Sequence, residues 1–596
     1  MGSATPLSSV PVPLVVPRPQ HLTLGDAAVP RSVLDTPVVT IDPVAVPRAQ
    51  GYRLTVSARG VEVVAHDAAG AFYGQQTLAQ LRAGAGQAVP MMTVDDWPDR
   101  AVRGVMLDVS RDRVPKLAVI KQRIDRLACL KINQLQLYTE HTLAFAGHAE
   151  VWRDASPLTF DDLAEIEAYC NARFIDLVPC QNLFGHLHRW LTKPGYAHLA
   201  ECPDGYDTPW GYRDPNPFSL DPSDPASFAL SADLIDQIAA ASGSKLFNIG
   251  CDETTDIGQG KNKARVQREG RAAVYLEYLQ KLCARVSGHG QTPMFWGDIV
   301  LDHPELIEQV PQDAVLLNWG YEADHDFMGQ GKQFQDAQVR FYVCPGTSSW
   351  CTLTGRTRNA LGNLRAAAEA GQAYGAEGYL ITDWGDWGHW QPFALSWVGL
   401  TYGAGVAWAL EANRDEHNLA AAVSASSADE TDDTLGRVLM RLGDVYLQCE
   451  PKFPNSTWWF KLLRSPDLPD DAAVLRQVSA DDVARALAEL DAVADDLSVY
   501  EPATVEGERM KREIDWCVRM TRWACERGGE IVNALAAGAL PERVDGGPEG
   551  AAALVHLAND LRALWHEQSQ PGGLEDSIEK LTRALNPAQG KTGGSF

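Results

Sequence analysis

The chain has 596 residues, of which 45% are hydrophobic and 22% are charged, a composition typical of a folded globular protein and not of a disordered or collagen-like one. Its 52 basic and 78 acidic residues give a formal net charge of −26. Because phosphate backbones and anionic lipids repel such a chain, we expect no nucleic-acid and no membrane partner.

Two further features concern the location of the protein. No run of 18 apolar residues is present, and prolines interrupt the N-terminal segment MGSATPLSSVPVPLVVPRP, so we expect neither a membrane span nor a signal helix. The 11 cysteines form no CxxC pair and lie in apolar contexts. This usage predicts reduced, buried thiols and a cytoplasmic location.

Residues 1–97 predict a small α+β domain. Alternating apolar and polar residues predict strands, and a following segment with helical spacing predicts one helix. A turn at Asp95–Asp99 closes the unit. The predicted strands are Val38–Ile41, Tyr52–Val56 and Val61–Val64, and the predicted helix is Ala69–Leu81.

Residues 98–410 alternate between eight apolar runs of strand length and amphipathic segments. Such alternation is typical of an α/β protein whose parallel sheet is covered on both faces. Eight repeats in about 300 residues favour a closed (β/α)8 TIM barrel over an open sheet. The runs are Val102–Val109, Ile132–Tyr138, Ile175–Cys180, Leu246–Gly250, Pro293–Gly297, Ala314–Trp319, Val339–Cys344 and Gly378–Thr382.

Residues 411–596 contain almost no strand-like alternation. Segments such as Asp481–Ala494 and Glu508–Ala536 are rich in Ala, Leu, Arg and Glu with helical spacing. We therefore predict an α-helical C-terminal domain.

Polar and aromatic side chains follow each predicted strand of the barrel, where barrels of this type place their active sites. Indole rings stack on the apolar C–H faces of a sugar ring, and carboxylates and amides pair with its hydroxyls. Core packing explains most single tryptophans, but tryptophans at four strand ends favour sugar binding. They are Trp296, Trp319, Trp350 and Trp384.

Asp252 and Glu253 are adjacent after the fourth predicted strand. A lone acidic dipeptide is more often a solvated loop pair, and neighbours in sequence are poorly placed to flank a glycosidic bond from opposite faces. Side by side, however, they suit a reaction in which the substrate's own acetamido oxygen attacks the anomeric carbon. Glu253 would then protonate the leaving oxygen, while Asp252 orients the acetamido N–H. The adjacent carboxylate and the apolar surroundings are expected to raise the pKa of Glu253.

Four segments resemble glycoside hydrolase family 20, the β-N-acetylhexosaminidases, and the resemblance covers about residues 15–410. It implies an exo-acting enzyme that releases terminal GlcNAc or GalNAc from an oligosaccharide or glycoconjugate by substrate-assisted, retaining hydrolysis, with no cofactor and no metal. The segments are Ala69–Leu81, Arg103–Arg111, Val178–His186 and Asn248–Glu253.

The resemblance also implies roles for individual residues. Asp252 orients the acetamido group, and Glu253 is the acid/base. Arg111 binds the outer hydroxyls of the terminal sugar, and His186 belongs to a network that supports the acid. The remaining implied substrate-binding positions are Glu140, the aromatic box of Trp296, Trp319 and Trp384, and Asp386, which stands where the family usually has a Glu.

Several positions depart from the family pattern. Asn248 replaces the His of the catalytic motif, and Cys251 replaces its second Gly. Glu140-His141 replaces an Asp pair, which alters the support of the acid. Trp350 stands where a Tyr hydroxyl binds the acetamido oxygen, and its indole N–H is also a donor. Thr352 replaces an Asp two positions later. The choice between GlcNAc and GalNAc, the aglycone and the oligomeric state stay open.

Two other functions are compatible with the sequence. A metal-dependent barrel hydrolase would use His141, His148, His186 and His188 with Asp252; no HExxH motif is present, and insensitivity to a chelator would reject it. A non-catalytic carbohydrate-binding protein on a decayed hydrolase fold is the second, although the acidic pair and Arg111 are intact. Turnover of a chromogenic N-acetyl-glycoside would reject that alternative.

Overall fold

The N-terminal region forms a five-stranded sheet with one helix. The structure is a computed structural model that describes residues 10–464, 474–539 and 547–585. Helix α1 (Ala68–Gly84) begins at Asp67, whose side chain accepts a hydrogen bond from the backbone N–H of Gly70 (2.8 Å). The sheet has the order β1-β5-β3-β4-β2. Its strands are β1 (His21–Pro30), β2 (Pro37–Ile41), β3 (Tyr52–Ser57), β4 (Gly60–Ala65) and β5 (Ala88–Asp96).

The expected strands β2 to β4 and the helix are present, but the sequence pattern did not indicate β1 or β5. Strand β5 also includes Asp95 and Asp96, which we expected in a turn. Residues 90–96 of this strand alternate between buried and half-buried positions, and the strand pairs with β1 on one side and β3 on the other. The pairing between strands distant in sequence therefore decides this part of the sheet.

The central region is a closed barrel of eight parallel strands in the order β11-β12-β13-β14-β15-β6-β7-β8, which confirms the predicted (β/α)8 TIM barrel. A small antiparallel hairpin of β9 (Tyr206–Asp207) and β10 (Arg213–Asp214) interrupts the repeat. The barrel strands are β6 (Val102–Asp108), β7 (Gln134–Thr139), β8 (Asp176–Gln181), β11 (Leu246–Asn248), β12 (Thr292–Trp296), β13 (Val315–Trp319), β14 (Phe341–Cys344) and β15 (Gly378–Asp383).

Helices surround the barrel and continue into the predicted helical C-terminal region. The barrel helices are α2 (Leu117–Cys129), α3 (Ala149–Trp152), α4 (Phe160–Asn171), α5 (His188–Leu191), α6 (Pro225–Ala241), α7 (Lys263–Glu269), α8 (Arg271–Gly288), α9 (Asp298–Asp302), α10 (Phe327–Asp336), α11 (Thr357–Tyr374) and α12 (Trp397–Trp408). The C-terminal helices are α13 (Leu410–Asn413), α14 (Leu419–Ala428), α15 (Thr434–Leu442), α16 (Trp458–Arg464), α17 (Ala480–Val499), α18 (Val505–Ala536), α19 (Gly547–Gln568) and α20 (Leu574–Thr582).

The C-terminal helices contact the barrel at the loops that follow its strands. The indole of Trp390 donates to the carbonyl of Ser577 (3.0 Å), and the ammonium of Lys580 lies 2.5 Å from the carboxylate of Asp112. Asp112 directly follows Arg111, so α20 supports the loop that presents this arginine. The predicted domain boundaries at residues 97 and 410 fall between β5 and β6 and at the start of α13.

Two observations concern membranes and thiols. Across the described ranges, none of the helices is long and apolar enough to span a lipid bilayer. None of the 11 cysteines forms a disulfide bond, and all but Cys129 are buried.

A buried ion pair joins the N-terminal sheet to the barrel. The ammonium of Lys131 lies 2.8 Å from the carboxylate of Asp96, and both side chains are fully inaccessible. Asp96 also accepts hydrogen bonds from the hydroxyl of Tyr52 (2.7 Å) and the indole of Trp408 (2.8 Å). Because each charge is fully desolvated, its partner is needed to offset the cost of burial.

We predict that Lys131→Met lowers the free energy of unfolding by about 3–5 kcal/mol, because the Asp96 charge would stay buried without its cation. Urea unfolding followed by tryptophan fluorescence measures this. The control is Lys332→Met, which removes an exposed pair with Asp336 whose side chains are 59% and 62% accessible. Its expected cost is below about 1 kcal/mol. Equal costs for the two variants would contradict the prediction.

Candidate active site

An open cleft lies at the C-terminal ends of the barrel strands. Seven of the ten predicted site residues line it, and Glu140, His186 and Trp350 do not. Two further residues, Tyr321 and Asn455, complete the wall. The lining residues are Arg111, Asp252, Glu253, Trp296, Trp319, Tyr321, Trp384, Asp386 and Asn455.

The acidic pair is carried by an unusual turn after β11. Gly250, Cys251 and Glu253 have φ values of 70°, 70° and 51°, a left-handed conformation that L-residues rarely adopt. A Cβ atom on Gly250 would lie 1.5 Å from the side-chain oxygen of Asn182, so only glycine fits there. Backbone strain of this kind persists where the surroundings fix it, and it concentrates at functional sites.

Side chains from neighbouring strands hold this turn. The Asn182 oxygen accepts from the backbone N–H of Cys251 (3.2 Å), and the Asp298 carboxylate accepts from that of Glu253 (2.9 Å). Asn248 accepts from the backbone N–H of Gly250 (3.0 Å) and donates to Gln136 (2.9 Å). Asn248, which replaces the histidine of the family motif, therefore stabilises the turn.

His186 joins the two acids. Its Nε2 lies 3.2 Å from the Asp252 carboxylate and 3.5 Å from that of Glu253, so the two carboxylates stand side by side around one imidazole. His186 itself has a φ of 55°, and a Cβ on the preceding Gly185 would lie 2.7 Å from the carbonyl oxygen of Asp252. The backbone before His186 is thus packed directly against the backbone of the turn that carries the acids.

The three groups shift one another's protonation. Burial opposes a charge on His186, but the Asp252 carboxylate outweighs burial and raises the pKa of His186 to about 9. In turn, the interaction with His186 outweighs burial and lowers the pKa of Asp252. Burial raises the pKa of Glu253, and the Asp252 charge adds to this while His186 opposes it. Asp252 is therefore kept ionised, while Glu253 holds its proton more tightly than an exposed glutamate does.

Arg111 organises the part of the cleft wall next to His186, whose Nδ1 lies 3.3 Å from the Arg111 guanidinium. Its guanidinium lies 2.8 Å from the Asp386 carboxylate and stacks over the Trp384 ring at 4.8 Å. Its Nε lies 3.4 Å from Glu140, a residue that is only 2% exposed. Glu140 is also 3.9 Å from His186. Glu140, which we expected to bind substrate, thus lies behind the wall, where it and His186 connect Arg111 to the acids as a supporting network.

Aromatic rings form the rest of the wall. Trp319 and Tyr321 are stacked at 5.2 Å, and Trp296 and Trp384 are tilted at 5.9 Å. The indole N–H of Trp384 donates to the hydroxyl of Tyr321 (2.8 Å). Together these rings form an apolar surface with one hydroxyl, which suits an acetamido methyl group and the face of a sugar ring.

The position of Trp350 corrects the expectation that its N–H reaches the substrate. The side chain is 1% exposed and packs edge-on behind Tyr321 at 5.0 Å. Tyr321, from the loop after β13, lines the cleft instead, whereas we expected the indole N–H of Trp350 from the loop after β14. Thr352 is also fully buried, and its hydroxyl donates to the carbonyl of Ser349 (2.6 Å).

Sequence reasoning missed Tyr321 and Asn455 for different reasons. Tyr321 could have been predicted from the sequence, because it follows Trp319 by two residues at a strand end. Asn455 could not have been, because it lies outside the barrel region and reaches the cleft only through the packing of the C-terminal helices.

The histidine cluster suggested for a metal hydrolase does not form. Among the residues that the structure describes, the only group of three or more metal-ligating side chains is His186, Asp252 and Glu253, whose ligand atoms lie within 4.8 Å of one another. His148 instead pairs with Asp233 at the surface (2.8 Å). Burial lowers the pKa of His141 to about 3, in a separate cluster beside Arg189.

Comparison with known proteins connects this fold and site to one family. The model described as "Glycosyl hydrolase family 20, catalytic domain" matches residues 101–345, and "Glycosyl hydrolase family 20, domain 2" matches residues 23–97. Together they match more than half of the chain. The chain belongs to glycoside hydrolase family 20.

Individual relatives are distant. Hexosaminidase D of Bos taurus is 26% identical over 38% of this chain and 65% of its own length, and a beta-hexosaminidase of Akkermansia muciniphila is 27% identical over 42% and 57%. The chain thus spans less than two thirds of the length of these relatives. The crystal structure of Flavobacterium johnsoniae chitobiase covers 95% of this chain and 99% of its own with a TM-score of 0.57, but at 16% identity it shows the fold alone.

We predict that His186 titrates near pH 9 and that Asp252→Asn returns its pKa towards the ordinary value of about 6.5, because the carboxylate supplies the stabilising charge. Histidine ring resonances in NMR spectra of selectively labelled protein report this. Since the folded pKa exceeds the unfolded one, the stability from the charged imidazole is full below about pH 6.5 and is lost as the pH rises through 9.

The matched control for this titration is Asp233→Asn, which removes the partner of His148 at the surface. It should leave the pKa of His186 unchanged. A pKa near 9 that persists in Asp252→Asn would show that another group supplies the charge.

Proposed function

We propose that this protein is an exo-acting β-N-acetylhexosaminidase that releases a terminal GlcNAc or GalNAc from an oligosaccharide or glycoconjugate. The observation that carries the proposal is the pair Asp252 and Glu253, which stand side by side around His186 within an aromatic cleft. The names of the curated hexosaminidase relatives support the same substrate class.

In the proposed mechanism the substrate supplies the nucleophile. The acetamido oxygen attacks the anomeric carbon, the bond from that carbon to the leaving oxygen breaks, and Glu253 gives its proton to the leaving oxygen. The ionised Asp252 accepts a hydrogen bond from the acetamido N–H and stabilises the positive charge that develops there. Two inversions at the same carbon give net retention once water opens the cyclic intermediate, and Glu253 takes its proton back from that water.

The protonation states support this division of roles. Burial and the neighbouring carboxylate raise the pKa of Glu253, as a proton donor requires near neutral pH. The charged His186 holds Asp252 in the ionised form. The imidazole thus favours the ionised form of Asp252, whereas burial and the Asp252 charge favour the protonated form of Glu253.

The ion pair of Arg111 and Asp386 in the cleft supports terminal recognition. Arg111 and Asp386 offer a donor and an acceptor locked together by their ion pair, an arrangement suited to the hydroxyls of a sugar ring. The rings of Trp296, Trp319 and Trp384 line the cleft beside the two acids. An aromatic wall of this kind suits one terminal sugar and favours exo action.

Glu253→Gln should lower kcat/KM about 10²–10⁴-fold on substrates with poor leaving groups, because general acid catalysis is lost. Aryl β-N-acetylglucosaminides with leaving groups of graded acidity provide the measurement, and the loss should shrink as the leaving group becomes more acidic. Glu305→Gln, at an exposed position, is the control. An equal loss on all leaving groups would assign Glu253 another role.

A thiazoline analogue of the cyclic intermediate should inhibit the wild type strongly. Asp252→Asn should raise its inhibition constant about 10-fold to 100-fold, because a hydrogen bond to a charged group is lost. Inhibition kinetics on the same aryl substrates measure both values. An enzyme that turns over substrate but resists the thiazoline would use a protein nucleophile instead.

A further inference from the structure

One wall of the cleft comes from outside the barrel. Asn455 belongs to the segment between α15 and α16, in the C-terminal helical region, yet it lines the same cleft as Asp252, Glu253 and Arg111. None of the roles considered above uses this residue.

Its position is fixed from both sides. The backbone N–H of Asn455 donates to the Glu322 carboxylate (2.7 Å), and Glu322 is held by two hydrogen bonds of 2.9 and 2.8 Å from the buried Arg356. The next residues bind the loop after β14: the Ser456 hydroxyl donates to the carbonyl of Cys351 (3.0 Å). Asn455 is thus anchored to the loops that follow two barrel strands.

Asn455 carries an unused hydrogen-bond acceptor at the wall of the cleft. Its amide oxygen is buried and has no hydrogen-bond partner among the residues that the structure describes. A buried acceptor without a partner is costly, and such groups in native structures usually await a ligand, water or ion. The backbone φ of 53° is left-handed, a conformation that Asn tolerates better than most residues and that is found at ligand sites.

The loop after β14 does not supply a carboxylate at the position where the family resemblance placed one. The family resemblance placed an Asp at the position of Thr352, but Thr352 is fully buried and its hydroxyl is bound within its own loop. The carbonyl of Thr352 instead accepts hydrogen bonds from Thr457 (3.2 Å) and Trp459 (2.6 Å). The C-terminal segment is therefore bound directly to the loop that lacks the carboxylate.

We propose that Asn455 is a substrate-binding and specificity-determining residue supplied by the C-terminal domain. Its amide oxygen accepts a hydrogen bond from one hydroxyl of the terminal sugar, and this inference rests on the proposed function. An amide acceptor at this wall gives the site one neutral, directional contact in addition to the charged pair of Arg111 and Asp386.

The test is Asn455→Gly, which removes the side chain and keeps a backbone that favours positive φ. The substrates are an aryl β-N-acetylglucosaminide and its 3-, 4- and 6-deoxy analogues. The variant should lose about tenfold in kcat/KM on the parent sugar, the usual cost of one hydrogen bond. On the single analogue that lacks the bound hydroxyl, the variant and the wild type should be equal. Asn455→Asp, which keeps an acceptor, should restore the dependence on that hydroxyl.

Asn418→Gly is the matched control, because Asn418 also has a positive φ (58°) and lies exposed at the start of α14, away from the cleft. It should leave all four kcat/KM values unchanged. An equal loss by Asn455→Gly on all four substrates, or no loss on any, overturns the inference while the proposed function stands. Absence of wild-type turnover on every substrate overturns the proposed function itself. If Asn455→Gly fails to fold, Asn455→Ser on the same substrates decides by the same criterion.

Discussion

The contact of one imidazole with two adjacent carboxylates is the interaction on which the rest of this site depends. His186 reaches both Asp252 and Glu253 only because the turn after β11 runs through left-handed residues. This turn itself requires a glycine at position 250, because Gly250 lies directly against Asn182. The side chains that bind this turn come from β7, β8 and β12 or the loops that follow them, so the closed barrel fixes the geometry of the acids.

The C-terminal helical region belongs to the active centre and is not a separate appendage. Helix α20 places Lys580 against Asp112, beside Arg111, and Arg189 contacts the same carboxylate (2.9 Å). A Cβ on Gly573 would lie 1.8 Å from the carbonyl of Asp112, which shows how closely the two backbones approach. On another side of the cleft, Asn455 completes the wall. The barrel carries the acids, while the C-terminal region supports the Arg111 loop and supplies Asn455.

Much of the fold and site was predictable because it is encoded locally. The apolar runs predicted each barrel strand to within about two residues at most ends, and the polar residues after them converge because parallel strands end at one side of a barrel. Strand β5 was not predicted, since its pairing with β1 and β3 decides its conformation. Trp350 was misplaced for a similar reason: a position in a loop does not show which of two aromatic rings faces the cleft.

By itself, the sequence determined the barrel, its order of elements and the identity of the acidic pair, because period, burial and strand-end position are local properties. Only the tertiary structure decided that His186 keeps Asp252 ionised while burial and the Asp252 charge raise the pKa of Glu253, since these effects depend on contacts such as those of 3.2 and 3.5 Å between side chains 66 and 67 positions apart. It likewise decided that Tyr321 and Asn455 line the cleft. Packing between segments distant in the chain selects these residues, and no local pattern records it.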